Sequence, residues 1–242
     1  MSRAVILAGG PGTRLRPYTA VLPKPLMPVG DRPILEIVVR QLKHHGFERI
    51  TIASGYLSEL LEAFFRDGSQ YGVSIDYHIE RERLGTVGAL ASIDGLADEP
   101  AFLVMNGDVL SDIAYTAVLE SHRASGAVAT IATHERSVEV SLGVMRFDDD
   151  SDPTLLTGYI EKPTYDYRVS MGVYCFGPHA LSYVEPNVYL DLPTLVERLI
   201  ADGKTVRGYP FDGYWMDIGR HEDYEQAMEE FEAHRERLLP GS

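Results

Sequence analysis

An apolar strand that runs directly into a glycine-rich loop decides the fold of this chain. Residues 3–15 read RAVILAGGPGTRL, and residues 22–26, LPKPL, follow with a lysine held between two prolines. Glycines allow backbone N–H groups to approach phosphate oxygens because no Cβ stands in the way. Arg14 and Lys24 add fixed positive charge close to that loop. The stretch therefore predicts a phosphate-binding loop at the carboxyl end of the first strand.

This loop matches neither of the two common nucleotide-binding loops. A P-loop requires Lys-Ser or Lys-Thr after its last glycine, and no such pair follows Gly12. A dinucleotide-binding loop requires a third glycine at the position where this chain has Leu15. A tight turn that binds no ligand is the alternative interpretation, and the nearby Arg14 and Lys24 favour phosphate binding over it.

The order of the predicted elements indicates the fold class. Strands and helices alternate through the first half of the chain, which is typical of a mainly parallel α/β sheet with helices on both faces. Strands are predicted at 3–8, 50–53, 73–79, 101–105, 127–133, 142–147, 155–160, 169–176 and 204–209. Helices are predicted at 33–45, 57–65, 113–122, 192–201 and 222–237, with a further helix opening at 84–90 and an exposed turn at 148–153.

Composition and charge argue against several classes of protein. The 242 residues carry a formal net charge of −14, which disfavours binding to nucleic acid or to an anionic membrane surface. No apolar run approaches the roughly 20 residues that a membrane-spanning helix needs. The one cysteine, Cys175, cannot form an intramolecular disulfide, and nothing indicates secretion. A soluble, cytoplasmic protein is the expectation.

Two carboxylates follow predicted strands and are candidates for a metal site. Asp108 follows the strand 101–105 through Asn106 and Gly107, and Asp217 follows a short aromatic strand. Because ligands bind at the carboxyl ends of strands in α/β sheets, we expect the glycine-rich loop, the segment 84–90 and the motif 106–108 to meet at one sheet edge. Mg²⁺ needs few protein carboxylates, since it keeps waters and takes phosphate oxygens from a substrate. A turn residue or a helix cap is the alternative for each aspartate.

Together with residues 27–35, MPVGDRPIL, these motifs resemble the signature of the sugar-1-phosphate nucleotidylyltransferases. The resemblance extends from residue 3 to about residue 226. It implies a single nucleotidyltransferase domain over 1–242 with a three-layer, Rossmann-like fold, whose half 1–110 binds mainly nucleotide and whose half 111–242 binds mainly sugar phosphate. It also implies a Mg²⁺-dependent reaction between an NTP and a sugar 1-phosphate, and a homodimer or larger assembly.

The resemblance assigns roles to individual residues of this chain. Catalysis is assigned to Arg14, Lys24 and Lys162, and Asp108 and Asp217 are assigned to Mg²⁺. The residues assigned to the nucleotide are Leu7, Ala8, Gly9, Gly10, Gly12, Thr13, Gly85, Thr86, Asn106 and Gly107. The residues assigned to the sugar phosphate are Gly143, Glu161, Lys162, Met171 and Gly172. A close-packed helix start is the alternative for the segment 84–90, and an exposed ion pair is the alternative for the Glu-Lys pair at 161–162.

The acceptor and the nucleobase are less sharply indicated. The family usually has asparagine or another polar residue where this chain has Met171, which indicates either an altered sugar or a methionine that fills the core. The overall pattern looks most like the guanylyltransferases for mannose 1-phosphate or heptose 1-phosphate. Thymidylyl, uridylyl or cytidylyl transfer to a glucose-like or cyclitol 1-phosphate stays open, as does a non-catalytic regulatory homologue that binds a nucleotide sugar.

Overall fold

A seven-stranded sheet forms the centre of the molecule in the computed structural model, which describes residues 2–148 and 152–241. The strands are β1 (Ser2–Ala8), β2 (Pro28–Val29), β3 (Arg32–Pro33), β4 (Phe47–Ser54), β5 (Ser74–Ile79), β6 (Phe102–Asn106), β7 (Val109–Ser111), β8 (Ala129–Glu139), β9 (Val144–Arg146), β10 (Gly158–Ile160), β11 (Thr164–Phe176), β12 (Val206–Pro210) and β13 (Trp215–Asp217). The helices are α1 (Ile34–His44), α2 (Ser58–Phe65), α3 (Tyr115–Ser125), α4 (Pro178–Leu181), α5 (Leu192–Ala201) and α6 (His221–Leu238). Within the described ranges, no helix has the length and apolar character needed to cross a bilayer.

The strands of the large sheet are mostly parallel. Their order is β12-β8-β11-β6-β1-β4-β5. Strand β11 pairs antiparallel with β6 and β8, whereas the other neighbours pair in parallel. The carboxyl ends of β1, β4, β5 and β6 therefore meet at one edge of the sheet, which is where ligands bind in folds of this type.

Both faces of the sheet are covered. Successive residues of β1 belong to opposite buried clusters, because Ile6 packs into one cluster and Val5 into the other. The first cluster takes residues from α1, α2 and α3, and the second takes residues from α5 and from the turns at 84–96. A third cluster joins Leu15, beyond the glycine-rich loop, to Phe231 of α6. The arrangement confirms the predicted three-layer α/β fold with helices on both faces.

A buried arginine ties three neighbouring strands together at one end of the sheet. Arg3 of β1 is only 1% exposed. Its guanidinium donates to the Thr51 hydroxyl of β4 at 2.9 Å and to the Asp94 carbonyl at 2.8 Å, and it pairs with Asp76 of β5 at 3.2 Å. A buried charge is tolerated only when it is paired and hydrogen-bonded, as it is here.

The prediction that a helix opens at 84–90 is wrong. These residues form turns that lead into the 3-10 turn Leu90–Ser92. Gly85 takes a left-handed φ of +77°, which a right-handed helix does not use. The Val87 N–H donates to the Leu190 carbonyl at 3.1 Å, and the Leu190 N–H donates to the Leu84 carbonyl at 2.9 Å. The segment therefore pairs with a distant loop instead of forming its own helical bonds.

Several strands differ in length or place from their predicted ranges, and β4, for example, begins at Phe47 instead of residue 50. Strands β8 and β11 extend beyond 127–133 and 169–176, because Thr164 to Ser170 pair with Thr133 to Glu139 in an antiparallel arm. The strands predicted at 142–147 and 155–160 shorten to β9 and β10, which pair with each other in a separate two-stranded sheet. Residues 149–151 of the turn predicted at 148–153 lie outside the described residues.

Candidate active site

The glycine-rich loop begins where β1 ends and is held by its own contacts. Gly12 takes a left-handed φ of +57° and precedes the 3-10 turn Thr13–Leu15. The Thr19 hydroxyl donates to the Gly12 carbonyl at 2.7 Å, and a Cβ on Gly12 would lie 3.0 Å from Thr19 Cγ2. Leu15 is buried while Arg14 is exposed. The turn is therefore anchored by Leu15 and presents the Arg14 guanidinium at the surface of the site.

Lys24 lies at the buried end of the site. The residue is 8% exposed, and its ammonium group donates to the Asp108 carboxylate and forms an ion pair with it. The other carboxylate oxygen, Asp108 Oδ1, is buried and has no hydrogen-bond partner among the described residues. Because a buried acceptor without a partner costs free energy, this oxygen is an unusual feature.

A short antiparallel ribbon of β7 and β13 places Asp217 beside Asp108. Asp217 pairs with the residue that follows Asp108 in the chain, and the Ile218 N–H donates to the Asp108 carbonyl at 3.1 Å. Burial raises the pKa of Asp217, and the Asp108 charge raises it further, while Lys24 and Arg14 oppose that rise. Two cations and two carboxylates from four separate segments therefore lie within electrostatic reach of one another.

The two carboxylates are the groups that could hold a divalent cation. Across residues 2–148 and 152–241, no cluster of three or more His, Cys, Asp or Glu side chains could hold a metal on its own. Mg²⁺ is commonly held by one or two carboxylates and completes its octahedron with water and phosphate oxygens. The unpartnered Oδ1 of Asp108, with Asp217 beside it, fits that requirement.

Two adjoining cavities of about 340 and 350 Å³ lie beside the loop. Both are lined by Leu7, Gly10, Pro11, Arg83 and Asp108. The first, called here the Lys24 cavity, is also lined by Ala8, Gly12, Thr13, Arg14, Lys24, Pro25 and Gly107. The second, called here the Glu80 cavity, is also lined by Gly9, Glu80, Leu84, Gly85, Thr86, Asn106, Tyr189 and Asp191. All ten residues that the sequence assigns to a nucleotide therefore line one cavity or the other.

Glu80, which directly follows β5, is a site residue that the sequence reasoning missed. A Cβ on Gly9 would lie 3.0 Å from Glu80 Oε1, which shows how closely the carboxylate approaches the loop. Its Oε2 accepts a hydrogen bond from the Leu84 N–H at 3.4 Å. Burial raises the pKa of the Glu80 carboxyl. Its place at the carboxyl end of a parallel strand is the signal that could have revealed it.

Asp191 connects the second half of the chain to the segment 84–90. Its Oδ1 accepts hydrogen bonds from the Thr86 N–H and the Thr86 hydroxyl, both at 3.2 Å. The Tyr189 hydroxyl donates to its other oxygen, and this bond is the main reason that the pKa of Asp191 is lowered. The Leu192 N–H donates to the Thr86 hydroxyl oxygen at 2.8 Å. Because 105 residues separate Asp191 from Thr86, no local pattern in the sequence indicates this contact.

The residues assigned to the sugar phosphate lie mainly at the separate sheet of β9 and β10. A Cβ on Gly143 would overlap the hydroxyl of Tyr159, and that hydroxyl donates to Glu161 at 2.9 Å. Lys162 is exposed and takes a positive φ of 44°, a strained value for a residue with a Cβ. Neither Glu161 nor Lys162 lines the Lys24 cavity or the Glu80 cavity. The described structure does not bring them to the glycine-rich loop.

Met171 is a core residue in this structure. It is 1% exposed and packs into the first buried cluster, and its carbonyl accepts a hydrogen bond from the Trp215 indole at 3.0 Å. This packing agrees with the interpretation that the methionine fills space. Gly172, by contrast, approaches the site, since a Cβ there would lie 2.7 Å from Asn106 Nδ2.

Comparisons with known proteins agree with this geometry. A family model described as nucleotidyl transferase matches residues 3–234. The chain is 35% identical to a UTP–glucose-1-phosphate uridylyltransferase of Synechocystis sp. and 35% identical to a mannose-1-phosphate guanyltransferase of Schizosaccharomyces pombe. These alignments cover 93% and 92% of this chain, which spans 62% of the length of each of those relatives.

Solved structures show the same fold. HddC from Yersinia pseudotuberculosis, complexed with GMP-PN, matches with a TM-score of 0.73 and 25% identity over 96% of this chain and 100% of that chain. A putative glucose-1-phosphate thymidylyltransferase from Bacillus anthracis, in complex with a sucrose, matches with a TM-score of 0.75 and 24% identity over 95% of this chain and 94% of that chain. Since the family model spans residues 3–234 and the glycine-rich loop, Lys24 and Asp108 meet at one edge of the sheet, this chain belongs to the nucleotidyl transferase family.

Proposed function

We propose that this chain transfers a nucleotidyl group from an NTP to a sugar 1-phosphate, which yields an NDP-sugar and pyrophosphate. The observation that carries the proposal is the meeting of the glycine-rich loop, Lys24 and the carboxylates of Asp108 and Asp217 beside two adjoining cavities. The uridylyltransferase and guanyltransferase relatives support the same reaction class.

The chemistry needs little acid–base help from the protein. The attacking atom is a phosphate oxygen of the sugar 1-phosphate, whose second pKa of about 6 leaves it largely ionised at neutral pH. It forms a bond to the α-phosphorus while the bond to the bridging oxygen of the β-phosphate breaks, and that oxygen leaves with the electron pair on pyrophosphate. Because two polyanions must come together, catalysis is mostly positioning and charge neutralisation.

The cations of the Lys24 cavity supply that neutralisation. Arg14 and Lys24 are assigned to the α-phosphate and the departing pyrophosphate, because both line the cavity formed by the loop. Arg83 is exposed, lines both cavities and adds a third cation that the sequence reasoning did not identify. Lys162 is assigned to the sugar phosphate as a point charge. Lys162 lines neither cavity, so its assignment rests on the family resemblance alone.

Asp108 and Asp217 are the residues that would hold Mg²⁺. The unpartnered Asp108 Oδ1 supplies one acceptor, and Asp217 supplies a second carboxylate from the adjoining strand. The bound cation would contribute positive charge at the phosphate oxygens. The ion pair between Asp108 and Lys24 keeps the carboxylate facing the Lys24 cavity.

The Glu80 cavity favours guanine as the base. Glu80 lines this cavity, and its carboxylate has two acceptor oxygens, of which Oε2 also accepts from the Leu84 N–H. Guanine carries two adjacent donors, its N1–H and its 2-amino group, which match that pair of acceptors. Uracil and thymine offer a single N–H between two carbonyl oxygens, so that one carboxylate oxygen would face an acceptor. GTP is therefore the preferred donor in this proposal, and mannose 1-phosphate is the first acceptor to test.

Uridylyl or thymidylyl transfer to a glucose-like or cyclitol 1-phosphate is the second candidate. The 35% identity to a uridylyltransferase of glucose 1-phosphate supports it as strongly as the same identity supports guanylyl transfer. A non-catalytic regulatory role is disfavoured, because Arg14, Lys24, Asp108 and Asp217 are all present.

The test is pyrophosphate release with Mg²⁺ from the purified chain. GTP, UTP, dTTP, CTP and ATP are crossed with the 1-phosphates of mannose, glucose, heptose and a cyclitol. Pyrophosphate release from GTP with one of the sugar 1-phosphates supports the proposal, and the Lys24→Ala variant is expected to lose this release. Lys43→Ala is the matched control, because Lys43 is a half-buried lysine of α1 that lines neither the Lys24 cavity nor the Glu80 cavity. Absence of release from every pair by folded protein would refute the reaction.

The proposal includes an assembly of two or more copies in the cytoplasm. The family resemblance is the basis for the assembly, and the composition with its one cysteine is the basis for the cytoplasmic location. Light scattering of the purified chain tests the assembly, and a monomer at every concentration would contradict it.

A further inference from the structure

A third cavity of about 280 Å³ lies between the start of α6 and the 3-10 turn Tyr18–Ala20. It is lined by Tyr18, His221, Tyr224, Glu225, Met228 and Glu229. None of these residues lines the Lys24 cavity or the Glu80 cavity. The proposed reaction therefore gives this third cavity no role.

Three aromatic rings form part of its wall. The Tyr18 ring lies 5.9 Å from the His221 ring, with 56° between their planes, and 6.1 Å from the Tyr224 ring, with 50° between their planes. The rings are thus close together and tilted rather than stacked. Tyr18 is 54% exposed, so that its ring is within reach of a molecule from solvent.

Two of the rings are fixed by hydrogen bonds at their polar ends. The Tyr224 hydroxyl donates to the Pro28 carbonyl at 2.7 Å. The His221 Nε2 lies 2.9 Å from the Arg16 carbonyl oxygen. The backbone therefore engages the Tyr224 hydroxyl and one ring nitrogen of His221, which fixes both rings beside the cavity. A preorganised aromatic wall binds a ligand at a low cost in conformational entropy.

The charge of the cavity wall is negative. Glu225 and Glu229 contribute two carboxylates one helical turn apart, and among the described residues no lysine or arginine lines this cavity. Glu222 and Asp223 add further negative charge in the first turn of α6. Met228 completes the wall with a thioether, which packs well against alkyl groups. A small inorganic cation prefers a set of oxygen ligands, whereas rings and a thioether suit a soft, alkylated cation.

We propose that this cavity binds a small organic ammonium ion, with its alkylated nitrogen against the rings of Tyr18, His221 and Tyr224 and its charge balanced by Glu225 and Glu229. Attraction between a cation and aromatic faces is the usual basis for recognising quaternary ammonium groups. The site is linked to the glycine-rich loop, since His221 contacts the carbonyl of Arg16 two residues beyond Arg14. Binding here does not depend on the proposed nucleotidyl transfer.

The test compares choline with 3,3-dimethylbutan-1-ol, which has the same shape but a neutral carbon in place of the nitrogen. Protein carrying ¹³C-methyl methionine is titrated, and the Met228 methyl resonance reports on the cavity. Met145, an exposed methionine of β9, is the internal reference. We expect choline to shift the Met228 signal with an affinity at least about tenfold above that of the neutral alcohol.

Two variants separate the aromatic and the ionic contributions. Tyr18→Leu is expected to lower choline affinity at least about fivefold, because it removes an exposed ring and leaves an apolar side chain. The double substitution Glu225→Gln and Glu229→Gln keeps the rings and is expected to lower the preference for choline over the alcohol. Equal affinity for choline and the alcohol, or no shift of Met228 with either, overturns the proposal. Unchanged choline binding in both folded variants overturns it as well.

Discussion

Replacing Glu80 with glutamine changes one atom of the carboxyl group and tests how the Glu80 cavity chooses its base. The wild-type carboxylate can accept from both guanine donors, whereas the amide has one acceptor and one donor. Glu80 lines the cavity and lies against Gly9, and within residues 2–148 and 152–241 it accepts one backbone hydrogen bond, from Leu84, which leaves acceptor capacity for a ligand. Glu80→Gln is therefore expected to weaken GTP selectively and to leave the triphosphate contacts unchanged.

The size of the effect follows from hydrogen bonds to a charged group. Each contributes about 1.5–3 kcal/mol. Loss of one such bond predicts that the ratio of kcat/KM for GTP to kcat/KM for UTP falls by about 10- to 150-fold. The assay is steady-state pyrophosphate release with each nucleotide at one sugar 1-phosphate. Glu82→Gln is the matched control, since Glu82 is exposed and lines neither the Lys24 cavity nor the Glu80 cavity.

Stability gives a second readout for the same variant. Because burial raises the pKa of Glu80, ionisation of this carboxyl disfavours the folded state at neutral pH. Glu80→Gln is expected to raise the free energy of unfolding at pH 7, and the gain should shrink as the pH falls and wild-type Glu80 takes up a proton. A GTP-to-UTP ratio that stays within about twofold of wild type, in a variant with this stability gain, would refute the assignment of Glu80 to the base.

Three further outcomes follow from the structure. Lys24→Ala is expected to lower kcat at least about tenfold while the circular dichroism spectrum stays native, because the residue supplies charge at the phosphates; near-normal kcat would contradict its role. Arg3→Met is expected to lower the free energy of unfolding by about 2–4 kcal/mol in urea titrations. The reason is that the buried Thr51 hydroxyl and the Asp94 carbonyl lose the donor that Arg3 supplies. A loss below about 0.5 kcal/mol would contradict this expectation. Burial lowers the pKa of His122 below 6.5, so that the unfolded chain takes up a proton at a higher pH than the folded chain does. The free energy of unfolding is therefore expected to fall as the pH drops below 6.5. His122→Gln should flatten this pH dependence between pH 7.5 and 5.5, and an unchanged slope of stability against pH would contradict the contribution of His122.

The part of the site that lies close to the glycine-rich loop in sequence could be predicted. The run of apolar residues at 4–8 indicated a central strand, which is β1, and the glycines after it indicated the loop. Asp108 could be placed at the same edge because it follows another buried strand, and the structure pairs it with Lys24. These expectations depend on strand order and on the rule that parallel strands end together.

The rest of the site depends on contacts between distant segments. The segment 84–90 has the small residues of a helix start, but its backbone and the Thr86 side chain form hydrogen bonds with the loop at 188–191 instead. Asp191 has no local motif that would identify it. The position of Glu80 after β5 could have placed it at this edge of the sheet, but not against Gly9. The lengths of β8 and β11 were underestimated because the outer half of their arm is exposed and has no buried face. Apolar residues therefore do not alternate regularly there, and the strand pattern is lost.

The measurement that tests the central claim most directly follows the label from two forms of GTP. The purified chain is incubated with Mg²⁺, mannose 1-phosphate and GTP labelled at either the α- or the γ-phosphorus. Attack at the α-phosphorus predicts that the α-label appears in a GDP-sugar and the γ-label in pyrophosphate, in equal amounts. Transfer of the γ-label to the sugar phosphate, or release of GDP and inorganic phosphate alone, would contradict attack at the α-phosphorus and with it the proposed function.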